Sequence, residues 1–91
     1  MEAIRLKRVT YDEGEDAILI HTQAGTAEHS YGIPGRLVEG EHDLAPLLDA
    51  TVKGIAQDYA DAGIAIDEKA LRNGIGIKLG LFRDAGPKSL A

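Results

Sequence analysis

At 91 residues, with 44% hydrophobic and 27% charged, the chain has the make-up of one small globular domain and not of a disordered segment. It contains no cysteine, which excludes disulfides, thiolate metal sites and a cysteine nucleophile. With 15 acidic against 10 basic residues the protein is acidic, net charge -5, which disfavours non-specific adhesion to nucleic acid or anionic membrane but leaves room for a local basic patch.

No apolar run approaches the roughly 20 residues of a membrane span, and the opening MEAIRLKRVTYDE turns charged too early for a secretion signal. A cytoplasmic protein is therefore expected, with one domain over 1–86 and a flexible tail over 87–91. A domain of this size buries about two-thirds of the surface of its unfolded chain, so its core is adequate and not generous.

In chain order, residues 3–11 (AIRLKRVTY) and 17–22 (AILIHT) are rich in β-branched and aliphatic residues. They flank DEGED, an acidic loop of hairpin length. In the first of these strands Ile4 and Leu6 ask for one face and Val9 and Tyr11 for the other, so a β-bulge is expected near Lys7 and Arg8. A second hairpin turns at QAGT into AEHSYGI. A turn centred on Ala24 and Gly25 opposes Ile20 with His29, Ile18 with Tyr31 and His21 with Glu28. The core face then carries Ile18, Ile20, Ala27, Tyr31 and Ile33, with His29 among them. Leu19, His21, Glu28, Ser30 and Gly32 take the outer face.

IPGR reads as a Pro-Gly turn. Residues 44–62 carry the three- and four-residue spacing of an amphipathic helix, with Leu44, Leu47, Leu48, Thr51, Val52, Ile55, Tyr59 and Ala62 on one side. Asp43 is its expected N-cap and Gly63 its left-handed stop. Gly54 costs about 1 kcal/mol against alanine in mid-helix, which points to close approach between helix and sheet. IAIDEKALRNG reads as a link, an Asp67 cap and one or two turns ending at Asn73-Gly74.

NGIGIKLGLFRD then alternates, with Ile75, Ile77, Leu79 and Leu81 on every second residue, and reads as a closing strand. The expected architecture is α+β, a two-layer sandwich of order β-β-β-α-(α)-β, with a mostly antiparallel four-stranded sheet and one main helix on one face. Burying each of the four aliphatic residues stabilises by roughly 1.5–3 kcal/mol. The strand's opposite face holds Gly74, Gly76, Lys78, Gly80 and Phe82, nearly bare of side chains. Interior strand glycines cost backbone entropy and pack nothing. An aromatic from a neighbouring strand, a bend, a second backbone or a ligand would each account for them.

The function this suggests is an interaction or oligomerisation module that uses the glycine-rich face toward a protein partner or a second copy in a homodimer. The alternative is a small-ligand or anion-binding protein in which Arg5 and Lys7 join Lys78. Nucleic acid is disfavoured, because aromatics are only 4% of the chain and the net charge has the wrong sign. A metal binder or metal-dependent enzyme would draw on His21, Glu28 and His42, but an ion pair and helix capping explain those residues as well. Ser30 adjoins His29 yet points to the opposite face of a regular strand, so the two make no catalytic pair. No motif calls for a catalytic role or a cofactor.

Overall fold

The first strand holds one residue too many for flat pairing. In the computed structural model, which describes residues 2–40 and 43–90, that strand is β1 (Ile4–Asp12). It pairs antiparallel with β2 (Ala17–Ala24), Leu6 opposite Thr22 and Arg8 opposite His21, so that Lys7 is the inserted residue of a bulge. The bulge restores the phase as expected: Ile4, Leu6, Val9 and Tyr11 all join the core.

β3 (Ala27–Pro34) completes a three-stranded antiparallel sheet in the order β1-β2-β3. Its register differs by two residues from the expected one, with Thr22 opposite His29, His21 opposite Ser30 and Gln23 opposite Glu28. The turn is Gly25-Thr26, and Gly25 takes the positive φ of 60° that a two-residue hairpin needs at its first central position. A shift of two preserves the faces, since side chains alternate with period two. The expected pairing of His21 with Glu28 is therefore replaced, while the division into core and outer faces holds.

Two helices cover the core face. α1 (Ala45–Asp61) buries Leu48, Thr51, Val52, Ile55 and Tyr59. Its N-cap is Leu44 and not the expected Asp43, which lies one residue earlier and whose Oδ1 accepts the Ala45 N–H at 2.9 Å. At the other end Gly63 adopts φ 79°, and the N–H groups of Gly63 and Ile64 donate to the carbonyls of Ala60 and Tyr59, the double closure of a Schellman stop. Gly54 lies against the Tyr31 ring, the close approach its sequence position suggested. Tyr59 reaches through the core to Thr22 Oγ1 at 2.8 Å, and Thr22 donates onward to the His29 carbonyl at 3.0 Å.

The closing segment corrects the expectation. α2 (Glu68–Ala85) begins at the Asp67 cap, which accepts the Ala70 N–H at 3.1 Å, and continues through Asn73 and Gly74 to the end of residues 74–82. There is no fourth strand over this segment. The alternating aliphatics contain two interleaved four-residue rows, and the helix buries one of them, Ile75 and Leu79, with Leu71 and Phe82. Ile77 and Leu81, which a strand would have turned inward with them, are left 66% and 43% exposed. Two of the glycines face neighbouring side chains at ordinary van der Waals distance: a Cβ at Gly74 would meet Leu6 at 3.4 Å and one at Gly76 would meet Leu48 at 3.5 Å.

Residues 87–90, expected as a tail, instead form a 3-10 turn, because Leu90 has an apolar side chain that finds cover beside β1 and is itself buried. A parallel bridge between Glu2 and Ile66 ties the start of the chain to the link between the helices, the Glu2 N–H donating to the Ala65 carbonyl at 2.7 Å. At the far end of β1, the Tyr11 hydroxyl donates to Asp16 Oδ1 at 2.7 Å while Asp16 Oδ2 accepts the Arg36 N–H. Among the described residues no helix is long and apolar enough to cross a membrane.

Candidate functional site

Of the residues expected to line a bare sheet face, none does so. Gly74, Gly76, Lys78, Gly80 and Phe82 all belong to α2. Phe82 is buried against Tyr11, ring centroids 5.3 Å apart, and Gly74 faces Leu6. Lys78 falls between them on the same helical row, on the core side of the sheet. Arg5 and Lys7 project from the opposite side, so the expected trio does not converge.

The open surface of the sheet is the outer face of β1, β2 and β3, whose residues are exposed or half-exposed. The β1 bulge shapes it. In a regular strand Lys7 and Arg8 would point to opposite faces, but the inserted residue allows both to reach the outer one, alongside Arg5 two positions earlier. Three cations thus gather on one face of a protein whose net charge is -5. Lys7 Nζ crosses the sheet and donates to Glu28 Oε1 on β3. Among the described residues Arg5 and Arg8 form no ion pair with a carboxylate.

His21 stands at the centre of this face. Its Nε2 lies 3.2 Å from Thr10 Oγ1 on β1 and its Nδ1 lies 2.9 Å from Ser30 Oγ on β3. A neutral imidazole has one N–H and one lone pair, so one hydroxyl donates to the ring and the other accepts from it. Partial burial, followed by the charges of Arg8 and Lys7, lowers the pKa of His21 below its ordinary 6.5 and keeps the ring neutral at physiological pH. In the opposite sense, the hydrogen bond and charge of Lys7, with the charges of Arg8 and Arg5, hold the Glu28 carboxyl below its usual 4.5. This face favours a negative charge and disfavours a further positive one.

Ser30 thus finds its imidazole partner in His21 across the strands, and not in adjacent His29, whose ring meets Tyr59 edge-on at 4.6 Å on the core side. The outer nitrogen of His21 faces a threonine hydroxyl where a nucleophile-base pair would have an orienting carboxylate. The chemistry on offer is hydrogen-bond donation and positive charge. Among the described residues no three His, Cys, Asp or Glu side chains group to hold a metal ion. His42, one of the candidate ligands, lies outside the described residues, and Glu28 engages Lys7 in place of His21.

Sequence reasoning named Arg5, Lys7, His21 and Glu28 but missed Arg8, Thr10 and Ser30 as their companions. A signal existed, because two adjacent cations at the phase change of β1 are the pair that a bulge sends to one side. Set against protein-family models, curated proteins and solved structures, the chain matches none of them.

Proposed function

We propose that this domain is a binding module whose contact surface is the outer sheet face and whose partner presents negative charge there. The observation that carries the reading is the bulge at Lys7, which brings Lys7 and Arg8 beside Arg5 on one face of an acidic protein. A compact cationic patch against a negative background steers an anionic group to one place while repelling it from the rest. Binding of this kind needs neither a nucleophile nor an enclosed cavity, and the Ser30 hydroxyl adds direction to the charge.

The test is a titration of the isotope-labelled protein with acidic ligands of increasing size, followed by amide chemical shifts. The shifts should cluster on residues 5–10, 21–23 and 28–30, weaken with added salt, and vanish in Lys7→Glu and Arg8→Glu. Shifts confined to the helices, or unaffected by charge reversal, would refute the reading.

One observation favours a second reading, self-association. Ile77 and Leu81 lie one turn apart on α2 and are 66% and 43% exposed. A homodimer built on this stripe would cover them. Light scattering across a concentration series should then show a dimer that Ile77→Asp dissociates, and a monomer at all concentrations removes this reading.

A further inference from the structure

Between β1 and β3 the outer face dips into a cavity of about 210 Å³ lined chiefly by Lys7, Arg8, His21, Glu28 and Ser30. We propose that this cavity binds a phosphoryl oxyanion, carried by inorganic phosphate or a small phosphate monoester, and that the Glu28 carboxylate holds its place in the free protein. The inference rests on the outer face being the anion-binding surface and adds to it the ligand class and an internal competitor.

The volume is below the roughly 300–1,000 Å³ of pockets that enclose a drug-sized ligand. It suits a single tetrahedral group, with any organic substituent left outside. The donors converge from all three strands. The Lys7 ammonium has three N–H groups and the Arg8 guanidinium five, arranged to meet two oxygens of one phosphate. Ser30 Oγ and the ring of His21 line the same hollow, and in the tautomer whose Nδ1–H donates to Ser30 Oγ the hydroxyl proton of Ser30 is free to turn toward an incoming oxygen.

Glu28 shows that the hollow already selects for negative charge. Its carboxylate accepts from Lys7 and is held ionised by that bond and by the charges of Lys7, Arg8 and Arg5. Such a carboxylate is a poor occupant, since it satisfies one cation and leaves Arg8 without a carboxylate partner among the described residues. A phosphate dianion has more oxygens and more charge, and it displaces Glu28 by meeting both cations. Glu28 is exposed, so it can swing out into solvent.

The experiment is calorimetric titration of the full chain at low salt with inorganic phosphate and with phenyl phosphate, paired with amide shifts. Phosphate should bind saturably with the largest shifts at Lys7, Arg8, His21 and Ser30. Glu28→Gln, which removes the competitor and keeps its shape, should tighten phosphate by about fivefold, the factor an exposed ion pair is worth at its upper end. Lys7→Gln should weaken it. Equal or tighter binding of phenyl phosphate identifies a monoester site, and binding of inorganic phosphate alone identifies a free-phosphate site; either supports the assignment. An unchanged or weakened affinity in Glu28→Gln overturns it. If neither phosphate binds while an acidic peptide still shifts residues 5–10, the phosphoryl assignment falls and the broader reading stands. If no anion shifts the face, both fall.

Discussion

Gly54 of α1 lies under the ring of Tyr31 of β3, so close that a Cβ there would sit 2.8 Å from the ring carbon Cε1 and 2.9 Å from the hydroxyl oxygen. The helix therefore meets the sheet at a position where any side chain would move the ring. Gly80 of α2 is its opposite, a helical glycine with nothing within 4 Å of the space a Cβ would fill.

The two glycines should respond to alanine with opposite signs. Gly80→Ala removes backbone freedom from the unfolded chain and is expected to stabilise by about 0.5–1 kcal/mol. At Gly54 the same gain is set against overpacking of about 1–3 kcal/mol, for a net loss near 1 kcal/mol. Urea denaturation of both variants decides it. Equal stabilisation by the two substitutions would rule out the close contact at Tyr31, and destabilisation by Gly80→Ala would contradict the helix.

The buried chain from Tyr59 through Thr22 to the His29 carbonyl joins α1 to β2 and β3. Tyr59→Phe removes one hydrogen bond and should cost about 1 kcal/mol. Thr22→Val strands the buried Tyr59 hydroxyl and should cost more, about 1–3 kcal/mol. Combining them should recover part of the sum, because the double variant leaves no stranded hydroxyl. Strict additivity in a double-mutant cycle would mean that the two hydroxyls do not interact.

Tyr11 should titrate late. Its hydrogen bond to Asp16, then burial, then the charges of Asp16, Glu39 and Glu13 push its phenol up to about 12 from the ordinary 10. The folded state thus favours the neutral phenol. The stabilisation is fully present below pH 10 and is lost as pH rises through about 12. Ultraviolet absorbance of phenolate reads this directly, and Asp16→Asn should bring one tyrosine back toward 10. Asparagine tolerates the positive φ of 49° at that site, so the turn should survive. A tyrosine titration that is identical in both proteins would dissociate Tyr11 from Asp16.

His21 should protonate below the ordinary 6.5, because burial and the charges of Arg8 and Lys7 oppose its positive form. The unfolded chain takes up that proton more readily. The contribution to stability is therefore complete above pH 6.5 and declines as pH falls below it. Imidazole proton shifts followed by NMR should place His21 below a reference histidine, and Arg8→Gln should move it upward. A normal midpoint for His21 would remove the cationic environment on which the outer face depends.

Much of the sheet was legible because period two is a local property. The phase change between Leu6 and Val9 announced the bulge, and the two faces of β2 and β3 came out correctly although the pairing was two residues out, since an even shift moves no side chain across the sheet. The cap at Asp67, the stop at Gly63 and the close approach at Gly54 were equally readable, each being a chemical demand met within a few residues, whereas the N-cap of α1 fell on Leu44, one residue beyond Asp43. Residues 74–82 were not. Ile75 and Leu79 share a side in a strand and in a helix alike, so the apolar row that mattered was common to both readings.

What separated those readings was the neighbour. As a helix the segment lays Leu71, Ile75, Leu79 and Phe82 along β1 and α1 and leaves Ile77 and Leu81 outside, an arrangement whose energy resides in contacts far apart in sequence. The outer face arose in the same way. Lys7 and Arg8 were visible in the chain, but the strand register alone set them beside His21, Ser30 and Glu28, because cross-strand distance is fixed by pairing and not by sequence separation.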